Sequence, residues 1–320
     1  MNRISLRRAL APTAVAASLL LTLAACGGGQ TAAQGGEGAS GSVAVDGSST
    51  VFPLSDAAAE LLVEENPDIN VTVASSGTGG GFENFCAGKT DISDASRPIK
   101  DDEEVPVCEE AGVEFTELQV AVDAMTVVVN KDLAVDCLTT EQLKTIWGPE
   151  SQGKVTNWNQ VDPGFPDQKI ALFGPGTDSG TFDYFTDEIN GEEGASRSDY
   201  EASEEDNVIV EGVANTAGAT GYFGFTYFEE NADKLKAVEI DSGEGCVAPS
   251  VETAQSGDYT PLARPLFIYV SNKSYADKPQ VAEYVNFYVE NLSDIAEAAE
   301  YIPLNDEQYS ATNDLLAGMK

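Results

Sequence analysis

Ser42-Val43-Ala44-Val45-Asp46-Gly47-Ser48-Ser49-Thr50-Val51-Phe52-Pro53-Leu54 opens a stretch that runs to Pro67 and decides the fold. Val43 and Val45 alternate with smaller or polar neighbours, as in a strand with one apolar face. Residues 47–50 form a polar loop. Leu54, Ala57, Ala58, Leu61 and Leu62 then recur at helical spacing, and the helix must stop before Pro67. The same order returns twice. Ile69, Val71 and Val73 alternate, residues 75–81 are Ser-Ser-Gly-Thr-Gly-Gly-Gly, and Phe82, Phe85 and Cys86 have helical spacing. Ile170 and Leu172 belong to a third strand, residues 174–180 to a third loop, and Phe182 and Phe185 to the helix after it.

Strand, small polar loop, helix, three times over, predicts an α/β protein. It also predicts a chemistry. A helix N-terminus leaves N–H donors unpaired and carries partial positive charge, so it accepts anions. Glycine lets the backbone approach an anion, and Ser and Thr hydroxyls add donors without bulk. One such loop alone is a cap and a turn. Three of them could enclose a tetrahedral oxyanion.

Upstream, Arg3, Arg7 and Arg8 precede a short apolar run and Leu23-Ala24-Ala25-Cys26. Residues 1–25 read as a secretory signal. The run falls short of the roughly 18–20 residues a membrane span needs. Leu-Ala-Ala-Cys resembles a bacterial lipobox, which implies lipidation of Cys26 and an anchor on the outer face of the cell membrane, with more than one acyl chain for stable attachment. Residues 26–42, rich in Gly, Ser and Ala, read as a flexible tether. No later apolar run has spanning length.

The chain has 17 basic and 54 acidic residues and a net charge of −37. The signal holds three of the arginines and no acid, so 14 basic residues remain against 54 acidic ones, a charge of −40. Such a protein has no basic face for nucleic acid. Four cysteines remain after Cys26, namely Cys86, Cys108, Cys137 and Cys246. An even number in an exported chain predicts two disulfides, with three pairings open. Histidine is absent and no CxxC spacing occurs, which argues against zinc. No cofactor is expected.

Six stretches together resemble the phosphate-binding subunit of bacterial phosphate importers, in the branch common in actinobacteria and cyanobacteria. They are residues 46–53 (Asp-Gly-Ser-Ser-Thr-Val-Phe-Pro), 76–82 (Ser-Gly-Thr-Gly-Gly-Gly-Phe), 91–99 (Asp-Ile-Ser-Asp-Ala-Ser-Arg-Pro-Ile), 124–130 (Ala-Met-Thr-Val-Val-Val-Asn), 174–181 (Gly-Pro-Gly-Thr-Asp-Ser-Gly-Thr) and 261–266 (Pro-Leu-Ala-Arg-Pro-Leu). The resemblance implies a class II periplasmic-binding-protein fold, with two α/β lobes joined by two crossing strands, near 120–130 and 266–270. Lobe I would be 43–127 plus 264–320, and lobe II 128–263. Pairing Cys86 with Cys108 and Cys137 with Cys246 then keeps each bridge within one lobe. The implied partners are inorganic phosphate and the permease and ATPase of an ABC transporter, with the binding protein itself a monomer.

The resemblance also implies a site. Ser49, Thr50 and Val51 would give hydroxyl and N–H donors, Thr78 a donor from the second loop, and Ser179, Gly180 and Thr181 a cap from the other lobe. Ser96 stands where many relatives place an anion-contacting aspartate, and Pro175 where many place an arginine. Arg97 is therefore expected as the charged donor. Asp178 is expected to accept the phosphate proton, with Asp94 and Asp46 as weaker candidates. Arg264 is expected at a hinge, Trp147 and Trp158 in the core, residues 218–225 as a buried turn and strand behind the site, and an apolar-striped helix at 281–292 on lobe I.

Two other functions compete. A hydrolase would use Ser179, but a serine nucleophile needs a base, usually His, and the G-x-S-x-G elbow is absent. A sulfate binder would tolerate no proton-accepting carboxylate, because sulfate carries no proton at neutral pH.

Overall fold

The computed structural model describes residues 39–319, so the signal, the lipidation site and most of the tether lie outside the described residues. Cys26 is one of the residues left outside. The chain begins β1 (Gly41–Gly47), α1 (Phe52–Glu65), β2 (Ile69–Ala74), α2 (Gly77–Cys86), β3 (Ile92–Ala95), α3 (Val105–Ala111) and the long β4 (Phe115–Asn130). It continues through β5 (Cys137–Thr139), α4 (Thr140–Trp147), α5 (Trp158–Val161), β6 (Ala171–Pro175), α6 (Gly180–Phe185), β7 (Glu201–Ser203), α7 (Asp206–Asn215) and β8 (Ala219–Gly224). It ends with α8 (Phe225–Glu230), β9 (Leu235–Ala237), β10 (Glu239–Asp241), β11 (Cys246–Val247), α9 (Val251–Ser256), β12 (Ala263–Ser271), α10 (Asn272–Asp277), α11 (Pro279–Glu290), α12 (Leu292–Ala298) and α13 (Asp306–Met319).

One curled sheet runs β2–β1–β3–β12–β4–β8–β6–β7, with β9 also on β4, and a small sheet runs β11–β10–β5. β4 joins the two ends of the large sheet. Its first part pairs with β12, as far as Ala124 opposite Ala263, and its second part pairs with β8 and β9 from Met125 on. Residues 120–130 are buried on both faces, which is why they read as an almost continuous apolar run.

The two largest hydrophobic clusters form on the two stretches of β4. Leu118 and Val120 join Val43, Leu54, Leu62, Val281, Tyr284 and Tyr288 in the first. Met125, Val127 and Val129 join Trp147, Trp158, Leu172, Phe185 and Tyr222 in the second. There Trp147 sits edge-on to Phe185 and Tyr222, which stack on each other at 3.9 Å. Both disulfides form, Cys86–Cys108 and Cys137–Cys246.

The helices follow the apolar spacing, with two shifts. Leu61 turns outward at 37% exposure, because Leu54, Ala58 and Leu62 define the buried stripe of α1. α2 begins at Gly77, inside the run of glycines expected as loop. Thr78 and Gly79 therefore stand in a first helical turn, with N–H groups free of intrahelical partners.

Candidate anion-binding site

Five segments meet in a cleft of about 400 Å³: residues 48–50 after β1, residues 76–79 after β2, Ser96 and Arg97 after β3, Gly180 with the α6 side chains, and Arg264 on β12. The first turn depends on Gly47. Its φ is +148°, and a Cβ there would lie 2.1 Å from the Asp94 carbonyl oxygen. That carbonyl accepts the Ser48 N–H at 2.9 Å, and Ser48 Oγ accepts the Thr50 N–H at 3.2 Å. Asp46 ties the second loop to the first, its carboxylate accepting from Ser76 N–H at 3.1 Å and Asn84 Nδ2 at 2.7 Å. Thr78 Oγ1 lies 3.1 Å from Ser96 Oγ and accepts the Ser96 N–H at 3.3 Å, so the second and third segments are joined as well. Across the cleft, Gly180 approaches so closely that a Cβ would sit 3.4 Å from Thr50 Oγ1.

Arg264 holds the centre. Its Nη2 donates to Thr50 Oγ1 at 2.9 Å and its Nε to Asp123 at 3.2 Å. Its guanidinium lies 3.4 Å from the Tyr184 ring centroid, a cation–π contact, and the Tyr184 hydroxyl is itself fixed by donating to the Pro261 carbonyl at 2.6 Å. Arg264 and Asp123 face each other across β12 and β4, just before β4 changes partners. Burial raises the Asp123 carboxyl above its ordinary range, and Arg264 opposes that.

The opposite wall is acidic, with Asp183, Asp187, Glu188 and Glu193. The last three are exposed and Asp183 is half-buried. Burial and the charge of Glu193 push Asp183 up, against the pull of Arg264. Burial and Asp187 do the same to Glu188.

Ser49, Thr50, Thr78, Ser96, Arg97 and Gly180 thus come together around one space. Other expected residues do not. The Val51 side chain is fully buried in the first core, so only its backbone, at the N-cap of α1, remains with the loop where an N–H donor was expected. Ser179 caps α6, its Oγ accepting the Thr181 N–H at 3.2 Å. Thr181 lines a separate cavity of about 110 Å³ with Asp123, Asp206 and Glu300. Asp178 is a correction to the sequence reading. Its residue is exposed, its N–H leans on Glu204 at 3.4 Å, and it does not line the cleft. Asp46 is occupied with Ser76 and Asn84, and Asp94 is fully buried behind the loop.

Arg97 lines the cleft, but its fork is closed on Glu104 through Nη1 at 2.9 Å and Nη2 at 2.8 Å. That partner lies seven residues away in the chain. Arg264, Tyr184 and the four acids of the opposite wall are the site groups that sequence reasoning missed. Asp183 lies one helical turn past Ser179, a placement the sequence does show. A wider groove of about 690 Å³, lined by Thr156, Lys169 and Tyr200 among others, lies away from these loops. Among the described residues no group of acidic or sulfur ligands is arranged to hold a metal.

A curled sheet with two cores, two strands passing between them and a polar cleft where they meet defines the class, the periplasmic-binding-protein fold. The PBP superfamily domain model matches residues 32–291. Protein SphX of Synechococcus elongatus is 46% identical over 303 residues, 94% of this chain and 89% of the relative. The phosphate-binding protein PstS of Staphylococcus saprophyticus is 41% identical over 302 residues, 93% of this chain and 90% of the relative. The crystal structure of a "possible phosphate binding protein" from Planctomyces limnophilus is 45% identical, with a TM-score of 0.83 over 88% of this chain and 99% of that one. This chain belongs to the PBP superfamily and, within it, to the family that contains SphX and PstS.

Proposed function

We propose that this protein captures inorganic phosphate in the cleft and delivers it to an ABC-type phosphate importer. The observation that carries the reading is the convergence of three loop-to-helix turns on one fixed guanidinium, Arg264. Neutral hydroxyl and N–H donors around Arg264, with Arg97 already paired to Glu104, suit a small tetrahedral oxyanion. The relatives named phosphate-binding proteins support the choice of anion.

Residues 43–127 plus 264–320 form lobe I and 128–263 form lobe II, an assignment supported by separate cores that meet at β4 and β12. Closure of the lobes favours the bound state because the ligand contacts both. Asp183 takes over the proton-accepting role assigned above to Asp178, since it is the half-buried carboxyl of the cleft. The protein binds and does not catalyse, because Ser179 has no histidine base in a chain without histidine. Lipidation at Cys26 would hold it, as a monomer, on the outer face of the cell membrane beside its permease and ATPase, a reading supported by the lipobox-like Leu-Ala-Ala-Cys. Among the described residues no helix is long and apolar enough to cross a membrane.

Calorimetric titration with phosphate and with sulfate tests the claim. Phosphate should bind at least about a thousandfold tighter, a difference of about 4 kcal/mol. Equal affinities would remove phosphate as the ligand, and no binding of either would remove anion capture.

A further inference from the structure

Asp94 is fully buried directly behind the first anion loop. Its backbone carbonyl receives Ser48 N–H, and it lies opposite Gly47 in the β1–β3 ladder. Its carboxyl points instead under α1, where Oδ1 accepts from Ser55 Oγ at 2.8 Å. Oδ2 is buried with no partner, and the Tyr288 hydroxyl on the α11 side is also buried and unpartnered. Ser55 stands one helical turn beyond Val51, so the carboxyl sits about one turn beneath the N–H groups at the start of α1, a rise of roughly 5 Å.

The groups around it supply no counter-charge. β1 presents Asp46, an acid. α11 presents the phenols of Tyr284 and Tyr288, both pushed well above their ordinary range by burial. α1 presents Ser55 and, next to Tyr284, Asp56. β12 places Ile268 opposite. No cation acts on Asp94 among the described residues. A full charge on one hydrogen bond in such a place is costly, so the neutral acid is the resting form.

We propose that Asp94 is a positioning residue of the anion loop that works only while protonated, so that proton loss in alkaline solution places a negative charge beneath the α1 N-terminus and expels the bound anion. This rests on the reading of the cleft as a phosphate site. Burial, with Asp46 adding to it and Ser55 opposing, raises the Asp94 carboxyl from 3.8 to about 8. Between those values the folded protein holds a proton that the unfolded chain has released. Stability from this group is therefore complete below about pH 4, falls as pH rises, and is gone above about pH 8. Phosphate and the proton should bind cooperatively, each raising the affinity for the other.

The test compares wild type with Asp94→Asn, titrating both with phosphate from pH 6.5 to 9.5. The ionisation of phosphate itself cancels in the ratio of the two dissociation constants. The ratio at pH 6.5 sets the reference, and by pH 9.5 it should have moved at least about tenfold against the wild type, with the change centred near pH 8. A flat ratio with both proteins binding would overturn this inference and leave phosphate capture standing. Binding by neither would overturn phosphate capture itself. If Asp94→Asn does not fold, infrared spectra of the wild type decide the matter. A protonated-carboxyl band that persists at pH 7 and fades near pH 8 supports the inference, and complete loss of the band by pH 7 overturns it.

Discussion

The two walls of the cleft are built from opposite chemistry. The wall from the first hundred residues offers hydroxyls and N–H groups at residues 48–50, 76–79 and 96, with no charge except Arg97, which Glu104 already holds. The wall from α6 and the turn after it offers four carboxyls. A small anion that touches both meets donors on one side and acids on the other. Coulomb attraction must therefore come from the strand between them, where Arg264 is held by Thr50, Asp123 and the Tyr184 ring. The net charge of −37 sharpens the point. The overall field of the protein repels anions, so recognition has to be short-range.

Removing that cation should have the largest effect. Arg264→Ala deletes a charge-assisted donor and leaves buried Asp123 without its partner. Phosphate affinity should fall at least about a hundredfold, or about 3 kcal/mol, in a calorimetric titration. A loss under threefold would mean that the neutral wall binds the anion alone.

The acidic wall should act on choice more than on strength. An acceptor carboxyl rewards an anion that brings a proton and penalises one that does not. Asp183→Asn should therefore lower the phosphate-to-sulfate ratio at least about tenfold, about 1.4 kcal/mol, mostly by improving sulfate binding. Competition titrations measure the ratio directly. An unchanged ratio would move the acceptor role to another group of the cleft.

The two walls were not equally legible in the sequence. The donor wall was, because each of its parts is local: alternating valines, then glycine and hydroxyl residues, then a helical stripe, all within one short stretch. The strand crossings were legible for the same reason, since a strand buried on both faces reads as an apolar run. The centre was not. Arg264 meets Thr50 across 214 positions and Asp123 across 141, and no local pattern announces either contact. Asp178 misled because proximity to Ser179 in sequence is not proximity in space. Ser179 turns its hydroxyl onto the Thr181 N–H, and the acid one turn later on the helix, Asp183, is the one that faces the cleft. The disulfides were narrowed to three pairings by count alone, and only the division into lobes chose between them.

Arg97 gives the smallest expected effect and the finest division between the walls. It stands on the neutral wall, where its charge could reach an anion, yet both terminal nitrogens are spent on Glu104 and one also on the Pro98 carbonyl. Its side chain is 35% exposed, and a pair so open to solvent contributes about 1 kcal/mol or less to stability. Arg97→Ala should therefore leave phosphate affinity within about threefold of wild type and lower the unfolding free energy, measured by denaturant titration, by no more than about that 1 kcal/mol. The alternative is specific. If the affinity falls a hundredfold, the Glu104 pair must open when the anion enters. Glu104→Gln should then tighten phosphate binding, because it frees a guanidinium that closure would otherwise have to pull away from a carboxylate.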